Sequence, residues 1–211
     1  AAETRGRWGL TPMTPNAATR ARRSIRAGYL TRAQLTAVIG ACAPERDRLL
    51  LRLMYSYGLR STEAATMPLS DLDWQRGLVE IVRGKGSRSH TRTILRSLQA
   101  DLKAWLAKHP GGDWLFPSPR STAKPMTKWN VHRIFKAAAK RAGLPPQLQH
   151  AHVLKHSIVT HMLEEGVDIR SVQDWVGHVS IDTTVIYAEV TGRMNEAATK
   201  VADGLVGALE G

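Results

Sequence analysis

Apolar residues recur at helical spacing along most of the 211-residue chain. A Thr-x-x-Gln capping box at Thr31–Gln34 precedes Leu35, Val38 and Ile39, which predicts a helix start. Leu49, Leu50, Leu53 and Met54 mark the inner face of a helix from Glu45 to Tyr57, stopped by Gly58. Ser61 is placed to cap a short helix holding Glu63 and Ala64. Leu78–Val82 and Thr91–Leu95 are β-prone runs on either side of Gly84-Lys85-Gly86, which predicts a β-hairpin. Ser97–Ala107 turns Leu98, Leu102, Trp105 and Leu106 inward; Trp114 to Pro117 then anchors a polar loop from Ser118 to Pro125. From Thr127, Trp129, Val131, Ile134, Phe135 and Ala138 are expected to pack, with Lys128, His132, Arg133, Lys136, Lys140 and Arg141 outward. Val153, Leu154, Ile158, Met162 and Leu163 form the next stripe, ended by Gly166, and Arg170–Val176 is a further short helix ended by Gly177. Thr191 is placed to cap a last helix carrying Met194, Val201 and Leu205. The pattern predicts a mainly α fold with a small antiparallel β-sheet, an α+β class.

Charge adds a partner. Lys and Arg total 30 against 18 Asp and Glu, a net charge of +12 and a pI near 10.4. An excess of that size favours a polyanion, whose bound counterions are released on contact. Residues 1–28 hold six arginines, Arg22 and Arg23 among them, one glutamate and too few apolar residues for a core. They read as a basic flexible arm or linker ahead of a single domain over 29–211. The lone Cys42 excludes an intramolecular disulfide and fits a packing role in a reducing compartment. With no signal peptide and no long uninterrupted apolar run, a cytoplasmic protein without membrane contact is expected.

The stretch from His152 to Tyr187 concentrates the chemistry. His152, Lys155 and His156 lie three and four residues apart, so His152 shares a helix face with the other two. His178 and Tyr187 follow, giving proton donors and cations near an oxygen nucleophile, a set suited to a phosphate-like reacting group. The His152/His156 spacing is metal-compatible, but HVLKH lacks the Glu of HExxH and no cysteine pair exists, so no metal is assigned. Walker-type and dinucleotide glycine motifs are absent from the sequence, and no cofactor is expected.

The string resembles the signature of the tyrosine recombinases, the phage integrase family: a His-x-x-Arg-His helix, then Leu-Gly-His, then Thr-Thr-x-x-Tyr. His152, Lys155, His156, Gly177, His178, Thr183, Thr184 and Tyr187 match it in order, with Lys155 standing where the family has its second arginine. Tyr-Gly-Leu-Arg-Ser-Thr-Glu around Arg60 and Glu63 resembles the first-arginine motif, and Gly-Lys-Gly around Lys85, followed by Arg92, resembles the hairpin lysine. The resemblance covers roughly residues 30–190. It implies a site-specific recombinase or integrase acting on double-stranded DNA. Arg60 would clamp the scissile phosphate, with Lys155 and His178 as further donors and Glu63 and His156 in support. Tyr187 would form a 3′-phosphotyrosyl link, with His152 as base or proton shuttle and Lys85 as the acid for the leaving 5′ oxygen. DNA contacts are expected from Arg22, Arg23, Arg92, Lys128, Arg133 and Lys136.

Lysine at 155 keeps the charge and loses the bidentate fork. One lost charge-assisted hydrogen bond costs about 1.5–3 kcal/mol, roughly 10- to 150-fold in rate if felt in the transition state. The family's usual helical DNA-clamping domain is not represented in residues 1–28. The C-terminal segments of its members dock between protomers, which implies a homo-oligomer, the synaptic tetramer, on DNA. The rival readings are a type IB topoisomerase-like nicking-closing enzyme and a catalytically weakened or silent DNA-binding relative.

Overall fold

The computed structural model describes residues 28–84 and 89–177. Its centre is the helix Glu45–Tyr57 (α2), which follows α1 (Arg32–Gly40). Leu49, Leu50, Leu51, Leu53, Met54 and Tyr57 of α2 are all buried, so this helix is covered on most of its circumference. Gly58 ends it in the left-handed conformation (φ 59°), where a Cβ would lie 2.7 Å from Val176 Cγ1. Glycine is required there on both counts.

Helix α3 (Ser61–Ala65) is followed by a three-stranded antiparallel sheet, β1 (Leu72–Asp73), β2 (Leu78–Ile81) and β3 (His90–Thr93), with β2 in the middle. Val79 lies opposite Arg92 and Glu80 opposite Thr91. Leu72, Val79 and Ile81 enter the same core as α2. Helix α4 (Arg96–Ala107) packs on α2 through buried Leu98 and Leu102, and α5 (Lys128–Arg141) packs on α1 and α3. Helix α6 (Val153–Glu164) lies against α2 and carries α7 (Ile169–Val176), the pair enclosing Val159, Leu163, Val172 and Val176. The mainly helical α+β class expected from the pattern is the observed one. No helix among the described residues is long and apolar enough to cross a membrane.

Three local expectations are corrected. Ser61 is the first helical residue of α3; Arg60 holds the capping position, and Glu63 accepts its backbone N–H at 2.8 Å. The segment Ser118–Pro125 is not a loop: β4 (Pro117–Ser118) and β5 (Ser121–Pro125) form a second small hairpin around Pro119-Arg120, tied by Trp114 Nε1 donating to Ala123 O at 3.3 Å. Trp129 does not pack and is 70% exposed. It stands two residues before Val131, about 200° away around the helix, on the face of Arg133 and Lys136.

Candidate active site

Arg60 owes its position to the sharp stop at Gly58, which swings the chain from α2 into α3. Glu63, one turn on, has a 4% exposed side chain and binds Arg60 twice: Oε2 accepts its backbone N–H and Oε1 accepts Nη1, each at 2.8 Å. Desolvation alone would raise the Glu63 carboxyl, but the hydrogen bond from Arg60 N–H and the charge of Arg83 outweigh it, so its pKa lies below the usual carboxylate range. The Arg60 side chain remains 34% exposed.

The second cation on Glu63 is Arg83, which the sequence reading passed over as part of a turn. Its side chain is fully buried. Nη1 donates to Glu63 Oε2 at 2.8 Å and Gly58 O at 3.1 Å; Nη2 donates to Tyr57 O at 2.9 Å and Trp175 O at 3.5 Å. A sequence signal existed: strand alternation puts Arg83 on the same inner side as Val79 and Ile81.

Helix α6 brings in the next group. Lys155 is 2% exposed, and its Nζ donates to Val176 O at 2.9 Å, at the C-terminal end of α7. Desolvation, then the charges of Arg83 and Arg60, push its pKa down to about 7, with Glu63 opposing. Lys155 therefore lies near half-protonation at neutral pH. His152, just ahead of α6, meets His156 edge-on with ring centroids 4.5 Å apart. The residue as a whole is exposed, yet partial desolvation, with His156, Lys155 and Arg60 nearby, pushes its pKa down to about 4. It is neutral at pH 7 and competent to accept a proton. His156 hydrogen-bonds the Gly28 backbone and is likewise held below its ordinary value, chiefly by desolvation.

Arg60 and Lys155, far apart in sequence, thus both feel the buried Glu63–Arg83 pair, and His152 feels the charges of Arg60 and Lys155. Arg92, expected at the DNA surface, is held by α7: Nη2 donates to Asp174 O at 2.7 Å and Oδ2 at 2.8 Å, and its guanidinium lies 5.3 Å from the Trp175 ring centre. Asp174 and Trp175 were not singled out from sequence, since their partners are tertiary. Lys128, Arg133 and Lys136 are exposed on α5. Lys85, His178, Tyr187, Thr183, Thr184, Arg22, Arg23 and the helix expected after Thr191 lie outside the described residues. Among those described, no three His, Cys, Asp or Glu side chains are grouped to hold a metal.

Residues 29–193 match the phage integrase family. The chain belongs to that family. Tyrosine recombinase XerA of Pyrococcus furiosus is 34% identical over 168 residues, which is 79% of this chain and 58% of that protein. The crystal structure of XerA recombinase superposes with a TM-score of 0.68 at 25% identity, covering 81% of this chain and 63% of that one. The XerH site-specific recombinase bound to difH substrate, a pre-cleavage complex, gives 0.65 at 26% identity over 81% of this chain and 53% of that one. This tyrosine recombinase domain spans less than two thirds of the length of each of these relatives.

Proposed function

We propose that this chain cuts and rejoins double-stranded DNA at specific sites through a covalent phosphotyrosine. The observation that supports the reading is that Arg60 and Lys155 both feel one buried carboxylate, Glu63, with His152 beside their charges, in a chain whose residues 29–193 match the family. A phosphodiester attacked by an oxygen gathers negative charge on its non-bridging oxygens, and a pre-positioned guanidinium meets that charge without reorganising. Arg60, oriented by Glu63, takes this role.

Tyr187 attacks the phosphorus: its phenolic oxygen forms the new P–O bond as the bond to the 5′ oxygen breaks. The phenol proton passes to neutral His152, and Lys85 protonates the leaving oxygen. The phosphotyrosyl ester keeps the energy of the broken bond, so rejoining needs no external energy source. An incoming phosphate favours the charged form of Lys155; as a cation it then joins His178 as a donor. No cofactor enters the scheme. Exchange of C-terminal segments between protomers would assemble the oligomer on DNA.

A second reading is favoured by one feature. Lys155 is buried on Val176 O, where a family arginine would offer a planar fork. If Lys155 stays there when DNA binds, the chain is a silent DNA-binding relative. The test is a nicked suicide substrate drawn from DNA flanking the gene, incubated with the chain or with Tyr187→Phe. A denaturant-resistant adduct absent from the phenylalanine variant is expected. No adduct from either, even after Lys155→Arg, would overturn cleavage in favour of the silent reading. Strand exchange between two duplexes then separates a recombinase from a topoisomerase-like enzyme.

A further inference from the structure

We propose that Arg83 is a positioning residue of the site, setting Arg60 through Glu63 and fixing the C-terminal end of α7, the element that leads into His178. The inference rests on the recombinase reading above. Burying a guanidinium is unfavourable unless it is paired and hydrogen-bonded; Arg83 pairs with Glu63 and uses both Nη groups on partners from three helices, while its Nε is buried without a hydrogen-bond partner. Tyr57 O and Gly58 O lie at the end of α2, Glu63 belongs to α3, and Trp175 O lies at the end of α7. Both carbonyl-bearing termini are the ends at which a helix dipole favours a cation.

The sharing at Glu63 gives the contact its consequence. Oε2 bridges Arg60 N–H and Arg83 Nη1, while Oε1 holds Arg60 Nη1. Without Arg83, the carboxylate loses its buried partner and can turn, and the Arg60 guanidinium turns with it. At the other end, α7 abuts the same side chain: a Cβ on Gly177 would lie 2.6 Å from Arg83 Nε. Lys155 closes the arrangement by donating to Val176 O. Arg83 also stands two residues before Lys85 in the chain, so one side chain anchors the strand leading to that lysine. A lysine at 83 would keep the charge but could not hold three helices with one planar fork.

The test is single-turnover adduct formation on the nicked substrate by the full chain, its Arg83→Lys and Arg83→Gln variants, and Glu63→Gln, with DNA affinity and folding measured alongside. Both Arg83 variants should lose on the order of 100-fold in cleavage rate, the scale of a misplacement near 1 Å, while the dissociation constant changes less than about threefold. The pH profile gives a readout that a merely structural role would not move. The charged and titratable groups coupled to Lys155 are Arg83, Glu63, Arg60, His152 and His156. Removing the Arg83 charge should shift the alkaline limb set by Lys155 to higher pH, and Glu63→Gln should shift it lower.

A rate unchanged in Arg83→Gln, or lost only in proportion to unfolded protein with the limb unmoved, would overturn the inference. Should Arg83→Gln fail to fold, Arg83→Lys and Glu63→Gln decide it by the same rate and affinity criteria. No adduct from the unmodified chain, even after Lys155→Arg, would refute the recombinase reading itself, a result distinct from failure of the Arg83 inference.

Discussion

A lysine whose side chain is almost wholly enclosed makes stability depend on pH in a direction that can be worked out. The folded pKa of Lys155 is about 7 against an ordinary 10.5. Between those values the unfolded chain holds a proton that the folded chain lacks, so stability rises with pH through the window. Below about pH 7 both states are protonated and the full cost of the buried charge is present; above about 10.5 both are neutral and it has gone. Cys42, raised to about 11 by burial, and the raised Tyr55 and Tyr57 phenols act in the opposite sense from about pH 9 upward. The clean interval is therefore pH 7–9. There the unfolding free energy of the native chain should climb relative to Lys155→Met by up to about 1.4 kcal/mol per pH unit, from one proton's linkage. Urea melts at pH 7, 8 and 9 check this, and parallel curves for the two proteins would refute it. This environment was not legible in the sequence. The spacing of His152, Lys155 and His156 showed a shared helix face, but the neighbours that depress the lysine, Arg83 and Arg60, come from elsewhere in the chain.

Elements were legible where their signals are local. The Thr31/Gln34 box and the Gly58 stop are observed as read, because capping bonds and left-handed glycines depend only on nearby backbone. The hairpin at 117–125 escaped because its strands are short and polar, and it is braced by one side-chain bond from the preceding Trp114 to Ala123 O. Trp129 was misplaced by residue type: aromatic character suggested packing, whereas helical phase puts it outside. That correction strengthens the case for α5 as a DNA-facing element. Its outer surface joins Lys128, Arg133, Lys136 and Lys140 to an exposed indole, with Lys128 Nζ 5.2 Å from the ring centre. Each phosphate-neutralising cation contributes about 0.9 to the slope of log affinity against log salt. A Lys128→Ala/Arg133→Ala/Lys136→Ala variant should lower that slope by about 2–3 if all three reach phosphates, with thermal stability nearly unchanged. A slope equal to that of the unmodified chain would remove α5 from the interface.

At the scale of the molecule, the order of the motifs was legible, yet how the first described residues join the body was not. Gly28 to Arg32 run along α6, the helix that carries Lys155. His156 hydrogen-bonds the Gly28 backbone, Ser157 Oγ accepts Leu30 N–H at 2.8 Å, and Tyr29 stacks edge-on against His161. His161 Nδ1 in turn pairs with Tyr55 OH at 2.9 Å, and Arg32 forms an ion pair with Glu165. Apolar spacing on α6 predicted only its greasy stripe; Ser157, Thr160 and His161 are buried as well, and two of these three hold the entering chain. The sequence had no local signal for this, because Leu30 and Ser157 are 127 residues apart. The strap should behave as part of the cooperative core. Leu30 is fully buried, so Ser157→Ala leaves its N–H without an acceptor, a loss of about 1–3 kcal/mol. The urea midpoint should fall with an unchanged m-value, and the Leu30 amide, protected in the native chain near the global unfolding free energy, should exchange faster. An unshifted midpoint with rapid Leu30 exchange already in the native chain would mean that the strap frays independently of the core.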